Sequence, residues 1–217
     1  MPLPGWPSWL GRQTHRVLVK VVEETPGISE GRGLESRPRH LYAVADMVIK
    51  REMTKKFIEE AFGGESMAHM RYLLFEAVAE KEGFPNIANM FRAIAFAEIV
   101  HARNHYRSLG EIKGTTDNLQ ICIDGEHYEV NEMYPAFNDV AKIQDEKEAE
   151  RDTYYALEAE KTHEILYKKA KELAEQKKDI DEKRFSICPI CGHTVVGEPP
   201  ERCPICGASN DKFLIFE

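Results

Sequence analysis

The sequence predicts an all-α four-helix bundle followed by a small four-cysteine metal-binding module. Three observations carry that prediction. The pattern Glu98-x-x-His101 recurs as Glu160-x-x-His163, and residues three apart on a helix lie one turn apart on one face. Each pair has single glutamates upstream: Glu65 before the first, Glu129 and Glu132 before the second. Finally, the chain closes with two C-x-x-C pairs, Cys188/Cys191 and Cys203/Cys206. Glu65 precedes Glu98 by thirty-three residues and Glu129 precedes Glu160 by thirty-one. Each half therefore reads as Glu, helix turn, Glu-x-x-His, and the doubled set is the donor pattern of a di-metal carboxylate site built inside a bundle.

Taken in order, the first helix is predicted over Thr54–Lys81, with Phe57, Ile58, Ala61, Phe62, Met67, Met70, Leu73, Leu74, Ala77 and Val78 at helical period. Gly63 and Gly64 precede Glu65 and point to close approach by another helix or a ligand. Gly83 and Pro85 punctuate a short joint to an antiparallel second helix, Pro85–Leu109, which carries the first Glu-x-x-His. Residues 111–127 lack a sustained period and read as the long crossover a bundle uses to set its third helix parallel to its second. The third helix is expected over Tyr128–Asp145, with Pro135 marking a kink or falling in the first turns. The fourth runs over Lys147–Gln176, and residues 177–184 form a polar linker.

In the terminal module, Cys188-Pro-Ile-Cys-Gly192 and Cys203-Pro-Ile-Cys-Gly207 are two knuckles whose glycines allow a left-handed backbone. Four thiolates converging on one tetrahedral ion suit iron or zinc. Paired spacing of this kind in a chain with no secretory signal reads as metal binding rather than disulfide bonding. Residues 1–46 hold Pro2, Pro4, Pro7, Pro26 and Pro38 and one short apolar run, Val17–Val22. They read as a disordered or non-native extension, with Met47 as the expected natural start.

Composition narrows the functions. A net charge of −8 with 30% charged residues offers no basic patch for nucleic acid or a lipid surface. No apolar run approaches the roughly 20 residues of a membrane span, and the cytoplasm is the expected location. His69 reads as a packing or hydrogen-bonding residue, His105 and His127 as solvated polar groups, and Cys122 as a small apolar residue in a strand-like turn. Met67, Met70 and Met90 read as core. Tyr72, two turns beyond Glu65, has two open roles, a hydroxyl reaching the metal site or core packing.

The combination of Glu65, Glu98-x-x-His101, Glu129-x-x-Glu132-Met-Tyr-Pro, Glu160-x-x-His163 and CPxCG…CPxCG resembles the rubrerythrin family from Met47 to Glu217. The resemblance implies a ferritin-like di-iron bundle over 47–178 and a rubredoxin-like domain over 183–217. It implies that Glu98 and Glu160 bridge two non-haem irons, with Glu65 and Glu129 as terminal carboxylates and His163 on one iron. The other iron would exchange between Glu132 and His101 with redox state, and Cys188, Cys191, Cys203 and Cys206 would hold a mononuclear rubredoxin-type iron. Phe137 departs from the family, where a tyrosine is frequent. The implied activity is a peroxidase reducing hydrogen peroxide to water in oxidative stress protection. Glu132, His101 and Tyr72 are the expected reactive residues, an electron-donor protein the partner, and a homodimer or higher oligomer the assembly. Ferroxidase or iron storage is the alternative on the same bundle, and a zinc-ribbon interaction module on a structural bundle is the alternative from another class.

Overall fold

The computed structural model describes residues 49–217; the expectations for residues 1–46 lie outside the described residues. The described residues divide into two compact units, one ending at residue 112 and the other spanning 113–217.

The first unit is a helical hairpin of α1 (Glu52–Lys81) and α2 (Pro85–Leu109). Its turn is set by Gly83, at φ +83°, and by Pro85 in the first helical turn of α2. The α2 residues facing α1 are Ala88, Ala95, Ala102 and Leu109, buried at seven-residue intervals. Small side chains at that spacing let two helices pack closely. His69 anchors the pair through Nδ1 to the Ala95 carbonyl at 2.7 Å, the hydrogen-bonding role expected of it. Phe75 and Phe91 meet edge to face at 5.7 Å, and Tyr72 lies 6.4 Å from each.

One charged residue sits inside the hairpin. Glu76 is fully buried, and its Oε1 accepts the Arg92 Nε–H at 2.9 Å as well as the Nη2–H; Nη2 also reaches Glu80 at 2.8 Å. Burial holds the Glu76 carboxyl above its usual range despite the facing guanidinium. The methionines expected in the core are not there. Met67 is 61% exposed, and Met70 and Met90 are also exposed, because the inner face of a two-helix layer is already filled by alanines. A Cβ built on Gly63 or Gly64 meets nothing within 4 Å, so the hairpin itself requires neither glycine.

In the second unit one helical rod begins at Thr115 rather than at Tyr128. It comprises α3 (Thr115–Tyr128), a π-turn (Glu129–Met133) and α4 (Tyr134–Ile143). The expected crossover shrinks to residues 110–114. Helix α3 survives Gly125, worth about 1 kcal/mol against it, because its start is well made. Asp117 stands in the first turn, and the Asn118 side chain both accepts the Lys113 N–H and donates to the Lys113 carbonyl, each at 2.9 Å. Cys122 is thus helical, not in a strand-like turn. The π-turn has a local cause: Pro135 has no N–H to give, and the Tyr134 N–H bonds back five residues to the Glu129 carbonyl.

Helix α5 (Lys147–Glu175) returns antiparallel after a three-residue joint, fastened where the buried Asn138 amide donates to Glu150 O at 2.6 Å and Thr153 Oγ1 at 2.9 Å. The cysteine module is a three-stranded antiparallel sheet in the order β2 (Thr194–Val196), β1 (Phe185–Ile187), β3 (Leu214–Phe216). It packs on α5 of its own chain: Tyr155 lies against the cluster of Cys188, Cys191, Cys203 and Phe213. None of the described helices is long and apolar enough to cross a membrane.

Candidate metal centres

Two of the expected donor sets assemble as the spacing implies. On α1 and α2, ligand atoms of Glu65, Glu98 and His101 all lie within 4.8 Å of one another. His101 Nδ1 is 3.0 Å from Glu98 Oε2 and 3.8 Å from Glu65 Oε1. In the cysteine module all four sulfurs cluster, with Cys188–Cys206 at 3.5 Å, Cys191–Cys203 at 3.4 Å and no disulfide.

The third set differs in one member. The residue grouped with Glu160 and His163 is Glu126, from α3, and neither Glu129 nor Glu132 joins that group. Glu129 stays within electrostatic reach, since burial first, and then the Glu160 charge, raise its carboxyl. Glu132 is exposed. A regular helix would put Glu129 and Glu132 one turn apart on one face, but the π-turn spanning both adds a residue to the turn and rephases the helix beyond it. A signal for Glu126 was present in the spacing. Glu126 precedes Glu160 by thirty-four residues, closer to the thirty-three of the first half than the thirty-one of Glu129.

The electrostatics of this second cluster are those of acids crowded around one cation site. Burial, the hydrogen bond with Glu160 and that residue's charge push Glu126 up to about 7. Burial opposes ionisation of Glu160 too, yet hydrogen bonds from His163 and Glu126 hold it below the usual carboxylate range. Burial and the charges of Glu129, Glu160 and Glu126 raise the Tyr134 phenol, so it stays neutral beside the cluster. Tyr72, in contrast, sits among Phe75 and Phe91 in the other unit.

His163 joins the cluster to the cysteine module. Its Nδ1 faces Glu160 Oε2 at 2.5 Å, and its Nε2 lies 2.7 Å from Thr194 Oγ1 on β2. The Thr194 hydroxyl also lies 3.3 Å from the Gly192 carbonyl, and with its proton directed there its oxygen accepts from Nε2–H. With Nε2 protonated, the Nδ1 lone pair is the one available to a cation. The Glu160 carboxylate, against the opposing cost of burial, raises the His163 pKa in the metal-free state.

Gly192 and Gly207 turn the knuckles at φ +78° and +77°. Burial raises the thiols of Cys191 and Cys206, the latter to about 11. Burial also opposes ionisation of Cys203, but backbone N–H groups of Cys206 and Ile205 directed at its sulfur win and lower it. Four unbridged sulfurs with amides aimed at one of them fit a tetrahedral cation, and the carboxylate–imidazole sets fit hard-to-borderline metal ions.

Comparison with known proteins agrees. A family model described as Rubrerythrin matches residues 56–171, and one described as Rubrerythrin, rubredoxin-like domain matches residues 187–214. The chain is 46% identical to Rubrerythrin-2 of Clostridium acetobutylicum over 78% of its own length and 100% of that protein's. It is 32% identical to Nigerythrin of Nitratidesulfovibrio vulgaris over 80% of its length and 91% of that protein's. Among solved structures, the fully reduced, all-ferrous state of nigerythrin aligns over 86% of this chain and all of that chain at 29% identity, with a TM-score of 0.45. With its helical donor sets for a non-haem di-iron centre and four clustered cysteines for a rubredoxin-type iron, this chain belongs to the rubrerythrin family of iron-dependent oxidoreductases.

Proposed function

We propose that the protein is a peroxidase that reduces hydrogen peroxide to two waters with two protons and two electrons. The observation that carries this reading is the His163–Thr194 hydrogen bond, which fastens a one-electron thiolate centre to the helix holding Glu160 and His163. Storage of iron has no need of such a carrier. When bound, the paired irons supply the two electrons and the thiolate iron supplies one-electron carriage from an external donor protein.

The grouping of donors supports the following ligand roles. Glu98 and Glu160, each one turn before a histidine, would be the carboxylates shared between the irons. Glu65 and Glu126 would be the terminal ones, and Glu129 would take the part that the family resemblance gives to Glu132. An anionic carboxylate suits the more highly charged oxidised pair and a neutral imidazole suits the reduced one, so Glu129 and His101 would be the exchanging ligands. Thr194 fixes the tautomer of His163, and the neutral Tyr134 phenol keeps an O–H beside the carboxylates. The cytoplasm suits a centre that depends on reduced thiolates.

The test uses Cys203→Ser. The reduced variant should consume about one equivalent of peroxide and then stall with a protein electron donor, while the wild type turns over. Steady turnover by the variant would refute the electron route, and a reduced wild type inert to peroxide would refute the activity.

A further inference from the structure

We infer that the space between α5 and the cysteine module is a binding site for a neutral, planar, two-ring hydroquinone, a small-molecule electron donor beside the donor protein. Two facing surfaces build it. Along α5, Leu166, Tyr167 and Ala170 follow His163 by three, four and seven residues and share its face. Opposite them, Phe185 and Ile187 of β1 point to one side of the sheet together with their register partners, Phe216 and Thr194. Apolar surfaces that meet in this way ordinarily interlock and leave few voids larger than a water. Here they hold a cavity of about 480 Å³ between them, and Leu166, Tyr167, Ala170, Phe185 and Phe216 stay half-buried around it.

The cavity is separate from the carboxylate cluster. His163 and Thr194 line it, and Glu126, Glu129 and Glu160 do not. The bond between His163 and Thr194 closes its inner end. Lys169 stands six residues further along α5, about 9 Å, and is half-exposed in its ion pair with Glu182, which places that pair at the mouth.

Size, shape and position set the occupant. A cavity of this volume suits a small organic molecule. The rings of Tyr167, Phe185 and Phe216 favour a flat aromatic body, stacked or edge-on. The apolar walls disfavour a charged one, while Lys169 keeps N–H donors beyond the one spent on Glu182 for a hydroxyl or carbonyl oxygen at the mouth. Ile187, in the wall, is bonded to Cys188, so the occupant lies one residue from a thiolate of the cysteine centre. A hydroquinone there leaves as the quinone after giving up two electrons and two protons. The donor role rests on the proposed peroxidase reading, and the sum balances: one peroxide takes up two electrons and two protons to become two waters.

The experiment titrates iron-loaded, full-length protein with dimethylnaphthoquinone, a two-ring quinone whose substituted ring cannot add thiols, and reads binding by equilibrium dialysis without peroxide. Binding should saturate with a single molecule in each chain. Ala170→Trp, which puts an indole into the cavity, should weaken it at least about tenfold while iron content stays that of the wild type. Leu119→Phe narrows the cavity from the α3 side and should weaken binding in the same direction, whether or not Ala170→Trp folds. The hydroquinone form, added anaerobically, should bleach the visible absorbance of the ferric thiolate iron at a rate that saturates with its concentration. Absence of binding by the wild type, or binding unchanged in the folded variants, overturns the site. Binding without bleaching overturns the donor role. Both are read without peroxide, so neither failure is confused with that of the peroxidase reading, which fails only if reduced protein is inert to peroxide.

Discussion

Replacing Glu126 and Glu132 separately tests the assignment on which structure and family resemblance differ. Glu126 lies against Glu160 and His163 and is pushed up to about 7. A cation entering the metal-free cluster must displace that proton as well as the one on His163, so apparent affinity should rise with pH through about 7, more steeply than either group alone would make it. Glu126→Gln should weaken binding and flatten this dependence between pH 6 and 8. Glu132→Gln, at an exposed position, should leave both affinity and pH profile as in the wild type. Stability of the metal-free protein gives an independent readout. The fold holds the Glu126 proton more tightly than the unfolded chain does. Raising pH from the usual carboxyl range through about 7 therefore strips a proton the fold prefers to keep, and stability falls across that window. Glu126→Gln should remove this fall, raising the melting temperature at pH 8 relative to wild type while leaving it similar near pH 4.5. The assays are anaerobic Fe(II) titration and thermal unfolding of metal-free protein at several pH values. Loss of iron in Glu132→Gln, with Glu126→Gln binding normally, would refute the assignment.

Three further outcomes are expected. Arg92→Met should destabilise the protein by about 3 kcal/mol at neutral pH, because it leaves the buried Glu76 carboxylate without its partner; urea unfolding should show the loss shrinking as pH falls, since burial already favours the protonated Glu76 carboxyl. Thr194→Val keeps the side-chain shape but removes the acceptor for His163 Nε2–H, and should lower bundle-iron affinity about 10–100-fold while sparing the thiolate iron's visible spectrum. A chain beginning at Met47 should match the melting temperature and iron content of the full chain; a marked drop would make residues 1–46 structural.

Local chemistry was legible without the fold. The Glu-x-x-His helices, the Gly83–Pro85 joint and the CPxCG knuckles declare themselves because the interactions that set them span four residues or fewer. The bounds of α2 were read to the residue, since Pro85 and Gly110 punctuate both ends. Where partners are distant, the same reasoning fails. Nothing near Glu76 announces a buried acid, since its partner Arg92 arrives only when α2 folds back on α1. The bond between His163 and Thr194 joins residues thirty-one apart, and no periodicity encodes it.

The ligand on the third helix marks the boundary between the two kinds of information. Sequence alone determined that a carboxylate would stand roughly one helical hairpin before Glu160. Its spacing pointed to Glu129, with Glu132 one turn further on, and passed over Glu126 one turn earlier. Only the tertiary structure separated them. The helix begins at Thr115 because Asn118 clasps Lys113, and the π-turn before Pro135 breaks the period. Which of three equally spaced acids faces the metal depends on the accumulated phase of the whole rod, and that phase is set by its ends, its defect and the helix it packs against.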